Sequence, residues 1–167
     1  LAPVWRQGRV FLAGDAAHTN PPYLGQGACS GMRDASNLAW KLDLVLKGLA
    51  SDRLLDTYQE ERLPHAKKLM LDSRALGMVA NTSNPVKAAI RDLLFRLKLT
   101  PKPEFPTLKG GFLATGSDGR RLPEAGTLPG QGHLGTAAHK KRFDEHVGFH
   151  WAVVSRSALS PSLPEGI

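Results

Sequence analysis

One short segment concentrates the residue types that can do chemistry: Gly14-Asp15-Ala16-Ala17-His18, then Pro21-Pro22, then Gly25-Gln26-Gly27-Ala28-Cys29-Ser30-Gly31. Asp15 follows a short apolar run, where a carboxylate is an acceptor for sugar or polyol hydroxyls, and the small Ala16-Ala17 pair lets a ligand reach the backbone. Gly25 and Gly27 open a helical pattern. The first amides of a helix have no intrahelical acceptor, so with the helix dipole they attract negative charge. Glycine at 25 and 27 lets the backbone itself approach a ligand and adopt unusual dihedrals.

Other chemistries fit this spacing poorly. The G-x-G-x-x-G phosphate fingerprint needs glycine at position 30, where Ser30 stands, and these glycines follow a diproline loop rather than a strand. A G-x-S-x-G nucleophile elbow would put serine at Cys29. No base is identifiable that would activate Cys29 itself. His146 and His150 have the i, i+4 spacing of a helical metal pair, with His133 and His139 upstream. No cysteine or second motif completes a set, and Gly148 between them weakens the helix, so no metal site is expected.

Each remaining polar residue has a structural reading beside the functional one. Asp15 can cap the turn that follows it. His18 reads as a hydrogen-bonded structural histidine rather than a base, and Arg33 and Asp34 as a pair or cap near a helix start. Tyr23, Trp40 and Trp151 read as packing residues, Tyr23 lying in the loop nearest any bound ring.

The elements that must hold this segment follow from periodicity. Val10-Phe11-Leu12-Ala13, between Gly8-Arg9 and Gly14-Asp15, predicts a strand buried on both faces. From Ala28 the apolar positions Met32, Ala35, Leu38, Ala39, Leu42, Val45 and Leu46 predict a helix ended by Gly48. A second helix opens at Ser51 or Asp52 with apolar Leu54, Leu55, Tyr58, Ala66, Leu69, Met70 and Leu76, and Pro64 predicts a kink or break. Asn84-Pro85 starts a third, striped by Val86, Ile90, Leu93, Leu94 and Leu97.

Pro101, Pro103 and Pro106 then begin a linker that runs through recurring glycines to Gly135, with a turn at Ser117-Asp118-Gly119. Phe149 to Val154, with Trp151, predicts a strand, and the chain ends at Ile167, after Pro161 and Pro164, before any partner strand.

The 167 residues can bury one sizeable core or parts of two small ones. A hydrophobic content of 41% with 22% charged residues is ordinary for globular domains. No apolar run approaches the ~20 residues that span a bilayer, so no membrane role is expected. The single cysteine suits a reducing cytoplasm. The net charge of +7 is scattered, its only runs being Lys67-Lys68, Arg120-Arg121 and Lys140-Lys141-Arg142, none interleaved with aromatics. No nucleic-acid partner is expected. Leu1 runs almost directly into the first strand, which reads as a chain that starts mid-protein.

Taken together, Gly8 to His18, Pro21-Pro22, Gly25-Gln26-Gly27 and Met32-Arg33-Asp34-Ala35-x-Asn37-Leu38-Ala39-Trp40-Lys41-Leu42 resemble the downstream FAD motif of class A flavin monooxygenases, the FAD-dependent aromatic hydroxylases. Leu55 to Arg62 with Pro64-His65-Ala66 is also similar. The nearest likeness is to hydroxylases of the 3-(3-hydroxyphenyl)propionate and phenol types. The resemblance implies an α/β fold: a partial FAD-binding domain over residues 1–99, a linker over 100–135, and over 136–167 the start of a truncated thioredoxin-like domain, entered through Phe143-Asp144-Glu145-x-x-Gly148.

It implies FAD as cofactor, held by Gly14, Asp15, Pro21, Pro22, Gly25, Gln26, Gly27, Ala28 and Cys29. Asp15 would take the ribityl chain, and the backbone of Gly27, Ala28 and Cys29 would face the N1–C2=O edge of the isoalloxazine. Pro22 would be the catalytic-site residue, lying with Pro21 near C4a. The implied reaction is hydroxylation of a phenolic substrate with NAD(P)H and O2 through a flavin C4a-hydroperoxide, in a cytoplasmic parent protein able to form a homodimer.

Many relatives carry asparagine where Cys29 stands. If only that residue's N–H is used the change matters little, and if the amide side chain fixes the loop FAD binding is weakened. The 167 residues alone are expected to be colourless and inactive, since the G-x-G-x-x-G unit for the ADP half is not among them. Two rivals remain: a halogenase or epoxidase of the same superfamily, and a non-catalytic interaction remnant.

Overall fold

Trp5 anchors the N-terminal packing: it is 1% exposed and gathers Ala17, Leu38, Leu55, Tyr58 and Ala66 around it, with Phe11, Leu12, Leu42, Val45 and Leu63 at the margin. Its ring stacks on His18 (centroids 5.2 Å apart, planes at 28°) and tilts against Tyr58 at 5.6 Å. Its indole N–H donates to the Ala2 carbonyl and its backbone N–H to Gln59 Oε1, so both polar groups stay paired on burial. The computed structural model describes residues 1–99, 107–127, 132–135 and 140–148. It divides into two units, Leu1–Thr127 and Leu128–Ile167.

The first unit opens with an antiparallel hairpin, β1 (Arg6–Gln7) and β2 (Val10–Phe11), pairing Arg6 with Phe11 and Gln7 with Val10 around Gly8 at φ +60°. This corrects the expected strand. Only Val10 and Phe11 pair as a strand, and Val10 is 67% exposed. An apolar run is buried on two faces only when sheet neighbours and helices flank it, and among the described residues β2 pairs with β1 alone.

Three helices carry the rest of the unit. α1 (Gly27–Leu46) ends where expected, through Gly48 at φ +72°, with Gly48 N–H donating to Val45 and Leu49 N–H to Leu44. That is the paired bonding that closes a helix through a left-handed residue. Its buried face is only partly apolar: Leu38 is buried and Leu42 and Val45 pack against the core as expected, but Ser30, Asp34 and Lys41 are buried as well, and Met32 and Leu46 are exposed.

α2 (Asp56–Ala80) follows a 3-10 turn at Asp52–Leu55, and Ser51 makes no side-chain cap. No break occurs at Pro64. Proline there removes the donor for the Glu60 carbonyl, and Gly110 lies against that same carbonyl so closely that a Cβ on it would sit 2.8 Å from the oxygen. Leu54, Leu55, Tyr58, Ala66 and Leu69 are buried as expected, but Leu76 is exposed.

α3 (Pro85–Arg96) starts where Asn84 Oδ1 accepts from Val86 N and Lys87 N. Its stripe, however, is solvent-facing: Val86, Ile90, Leu93, Leu94 and Leu97 are all exposed. Farther on, the Ser117-Asp118-Gly119 turn is present, closed by Gly119 N–H to Gly116 O at 3.0 Å, and bracketed by a Thr115–Arg121 bridge.

The second unit holds a hairpin, β3 (His133–Leu134) with β4 (Lys141–Arg142), followed by α4 (Phe143–Val147). Glu145 accepts from Arg142 N, and Gly148 at φ +64° ends the helix. The expected strand at 149–154 with Trp151, the prolines at 101–106, and His139 and His150 lie outside the described residues. Among the described residues no helix is long and apolar enough to cross a membrane and no metal-binding cluster occurs.

Candidate functional site

The site is the junction between the hairpin's exit and the start of α1. After Phe11 the chain makes a 3-10 turn, Gly14–Ala16, with Gly14 at φ +57°, and Ala17 N–H and His18 N–H both return to its carbonyl. That turn packs against α1 through two glycines: a Cβ on Gly31 would lie 3.3 Å from the Gly14 Cα. Gly31, unassigned by the spacing argument, therefore performs the close-packing duty that a third fingerprint glycine performs elsewhere.

Asp15 is exposed on this turn and its carboxylate has no hydrogen-bond or charge partner among the described residues. It makes no capping hydrogen bond, so the structure does not support the turn-capping reading. Next, Pro21 is extended, Pro22–Leu24 forms a 3-10 turn, and Gly25 at φ +61° closes it by donating to the Pro22 carbonyl at 2.9 Å. α1 then begins with Gln26 as N-cap, without a side-chain cap.

Ser30 N–H is the first amide of α1 to find an intrahelical acceptor, Gln26 O at 2.8 Å. The amides of Gly27, Ala28 and Cys29 thus have no backbone acceptor among the described residues, at the head of a 20-residue helix. Nothing lies within 4 Å of a Cβ built on Gly25 or Gly27. The structure therefore puts three amides without backbone acceptors and a helix dipole on the same junction as an exposed carboxylate: a donor set for an anionic, hydrogen-bond-accepting edge together with an acceptor for hydroxyls. The side chains of Asn20 and Ser30, beside this junction, are buried and lack partners among the described residues.

Behind the junction lies a polar hub absent from the sequence reading. Asp34, fully buried, accepts from Gly14 N at 3.1 Å and meets His18 Nε2 at 2.6 Å through Oδ2, and Arg62 Nε at 2.8 Å through Oδ1. It neither caps the helix start nor faces solvent; it ties the turn, α1 and α2 together. His18, 1% exposed, is held in this hub in the structural role expected for it. The available signal was a charged residue at i+4 from Ser30 and i−4 from Leu38, on the face that turns inward.

The neighbouring groups feel this burial. His65 is pushed down to about 4 by desolvation, with Arg62 and Arg33 adding repulsion against a positive ring. Burial, then the Asp34 charge, raises the Tyr58 hydroxyl, which donates to the Leu12 carbonyl at 2.8 Å. Lys41, buried on the same face of α1, contacts Glu61 Oε2 at 2.8 Å; desolvation lowers its pKa and Glu61 partly offsets this. Asn37 Nδ2 donates to the same Glu61 oxygen at 2.7 Å.

Of the residues singled out by sequence, Gly14, Asp15, Gly25, Gln26, Gly27, Ala28 and Cys29 thus line one junction. Pro21 and Pro22 form the loop entering it. Tyr23 turns the other way, its ring against Gly77 and its hydroxyl bonded to Asn81 Nδ2, which agrees with a packing role.

Comparison with known proteins bears on this junction directly. The FAD binding domain family matches residues 1–73. A probable NADH-specific resorcinol 4-hydroxylase of Rhodococcus jostii is 43% identical over 98% of this chain and 29% of its own length. A 3-(3-hydroxy-phenyl)propionate/3-hydroxycinnamic acid hydroxylase of Mycobacterium sp. is 51% identical over 58% of this chain and 17% of its own. Among solved structures, the rebeccamycin biosynthetic enzyme RebC with reduced flavin is 34% identical with a TM-score of 0.50, over 56% of this chain and 21% of that one. The chain therefore spans less than a third of the length of these relatives.

Proposed function

We propose that this chain, whose residues 1–73 match the FAD binding domain family and which is similar to FAD-dependent aromatic hydroxylases, is the flavin-facing part of a longer cytoplasmic monooxygenase. That enzyme hydroxylates a small phenolic ring with NADH or NADPH and O2. The observation that carries the reading is the set of three amides without backbone acceptors at Gly27, Ala28 and Cys29 beside the exposed Asp15 carboxylate, within the matched region.

FAD, held by Asp15 and the amides of Gly27, Ala28 and Cys29, would supply the redox chemistry by which NAD(P)H and O2 give one oxygen atom to the ring and the other to water. The chain's own residues bind and orient. Asp15 accepts from ribityl hydroxyls. The amides of Gly27, Ala28 and Cys29 meet the flavin edge that becomes negative on reduction, and a helix N-terminus stabilises that charge by ~0.3–2 kcal/mol beyond the individual bonds. Only the backbone of residue 29 is needed for this, so cysteine in place of asparagine preserves the contact. Gly14, Gly25 and Gln26 shape the turn, and Pro21 and Pro22 present a loop without N–H donors to the reacting face.

On this reading residues 1–99 belong to the C-terminal part of the flavin domain, 100–135 connect it onward, and 136–167 are assigned, by the resemblance alone, to the start of a thioredoxin-like unit. Resorcinol-like or 3-hydroxyphenylpropionate-like rings fit the named relatives. The test uses the full-length protein with Asp15→Ala. Loss of one charge-assisted bond raises the FAD Kd ~10–100-fold, while an exposed, unpartnered side chain leaves stability within ~0.5 kcal/mol. Flavin titration by fluorescence quenching reads this. Absence of flavin binding by the wild-type protein would overturn the reading, and an unchanged Kd would remove Asp15 from it.

A further inference from the structure

The diproline loop is held from behind by one face of α2. Ser73, 2% exposed, donates its hydroxyl to the Pro21 carbonyl at 2.7 Å. One turn on, Gly77 lies beneath the Tyr23 ring, where a Cβ would come within 2.2 Å of Cε2 and 2.5 Å of Cδ2. Another turn on, Asn81 Nδ2 donates to the Tyr23 hydroxyl. Positions 73, 77 and 81 are spaced i, i+4, i+8, so one helical stripe meets the loop at two points, the Pro21 carbonyl and the Tyr23 side chain. Prolines at 21 and 22 have no N–H with which the loop could brace itself, and its only internal backbone bond is Gly25 N–H to Pro22 O.

From this we infer that Ser73, Gly77 and Asn81 are positioning residues: the second half of α2 sets where the Pro21–Pro22 backbone stands relative to the three amides of α1. The inference rests on the flavin reading of those amides. α2 reaches the site twice. Its first half holds Arg62 on Asp34, which tethers Gly14; its second half holds the loop. The two walls of the junction are thereby referenced to one rigid helix rather than to each other, and geometry at the flavin becomes a property of α2.

Two substitutions separate positioning from folding. Ser73→Ala frees the Pro21 carbonyl, and because Pro21 is only half-buried, water can replace the hydroxyl and the fold survives. Gly77→Ala forces the Tyr23 ring outward by ~1 Å or more, since carbon atoms settle ~3.5–4.0 Å apart. In the full-length protein, hydrogen exchange is followed at the Gly25 amide, which is bonded to the Pro22 carbonyl within the loop, and, as reference, at Leu38 to Leu42. The bound-flavin absorption spectrum and the share of NAD(P)H electrons released as hydrogen peroxide are followed with it.

Both variants are expected to speed loop exchange at least ~10-fold with the reference amides within ~twofold, and to shift the flavin spectrum and raise the peroxide share. Unchanged loop exchange and spectrum in Ser73→Ala overturns the inference. So does exchange that rises equally in loop and reference, which marks a merely structural residue. If the wild-type protein binds no flavin, the functional reading fails, while the exchange data still decide whether α2 holds the loop.

Discussion

Removing the Asp34 carboxylate gives the strongest test of how the junction is held. Asp34→Ala deletes the acceptor for the Gly14 amide, His18 Nε2 and Arg62 Nε together. It also strands Arg62, whose side chain is 4% exposed, which meets Asp34 through Nε, and whose Nη2 has no hydrogen-bond partner among the described residues. Breaking a buried pair from one side costs ~3–5 kcal/mol, because an uncompensated charge is left out of water. At ~2–4 °C per kcal/mol for a protein of this size, that is a fall in Tm of ~6–20 °C.

The double variant Asp34→Ala with Arg62→Ala removes the stranded charge and should recover ~1.5–3 kcal/mol of the sum of the single costs. Urea unfolding followed by circular dichroism and by tryptophan emission, to which Trp5 stacked on His18 contributes, measures all three variants. If Asp34→Ala costs less than ~1 kcal/mol, or the two changes add to within ~0.5 kcal/mol, the hub is not a coupled unit and the reasoning fails.

Two further outcomes follow from the same region. His65 titrates near 4 in the folded protein against 6.5 when unfolded, so the unfolded chain binds the proton first; its contribution is whole above pH 6.5 and is lost as pH falls toward 4. Melting from pH 8 to pH 4 should therefore show a steeper decline for the wild type than for His65→Gln, and parallel curves would refute this. Gly14 at φ +57° has ordinary room for a methyl, its nearest contact being 3.6 Å from Gly31 Cα. Gly14→Ala should thus cost ~1–2 kcal/mol through the dihedral alone, and Gly14→Asn, which tolerates that conformation, less; equal urea midpoints for the two would point to crowding instead.

Elements with a local cause were legible in the chain. Asn84 caps α3 because its side chain reaches the amides two and three residues on. Gly48 ends α1 because a residue without Cβ takes the left-handed conformation at little cost. The Gly25-Gln26-Gly27 opening left three amides without backbone acceptors for the same kind of reason, and the motif that surrounds it was recognisable as wording before any geometry was known. Asp15 and residues 27–29 could be named on those grounds alone.

What the tertiary structure alone decided is which faces turn inward and what braces the site. Asp34 and Lys41 are buried because Arg62 and Glu61, carried in by α2, compensate their charges. Hydropathy along α1 cannot register a partner supplied by another helix, so the apolar stripe located Leu38, Leu42 and Val45 against the core but not the buried Asp34 and Lys41 beside them, and it included Met32 and Leu46, which are exposed. Pro64 is accommodated without a break in a long helix anchored at both ends, by Arg62 on Asp34 and by Ser73 on Pro21. The clamp on Tyr23 depends on a glycine 54 positions away from it, Gly77. Local signals arise from dihedrals and near-neighbour hydrogen bonds, which the sequence carries within a few residues; burial of charge and bracing of a loop depend on groups brought together only when the chain folds.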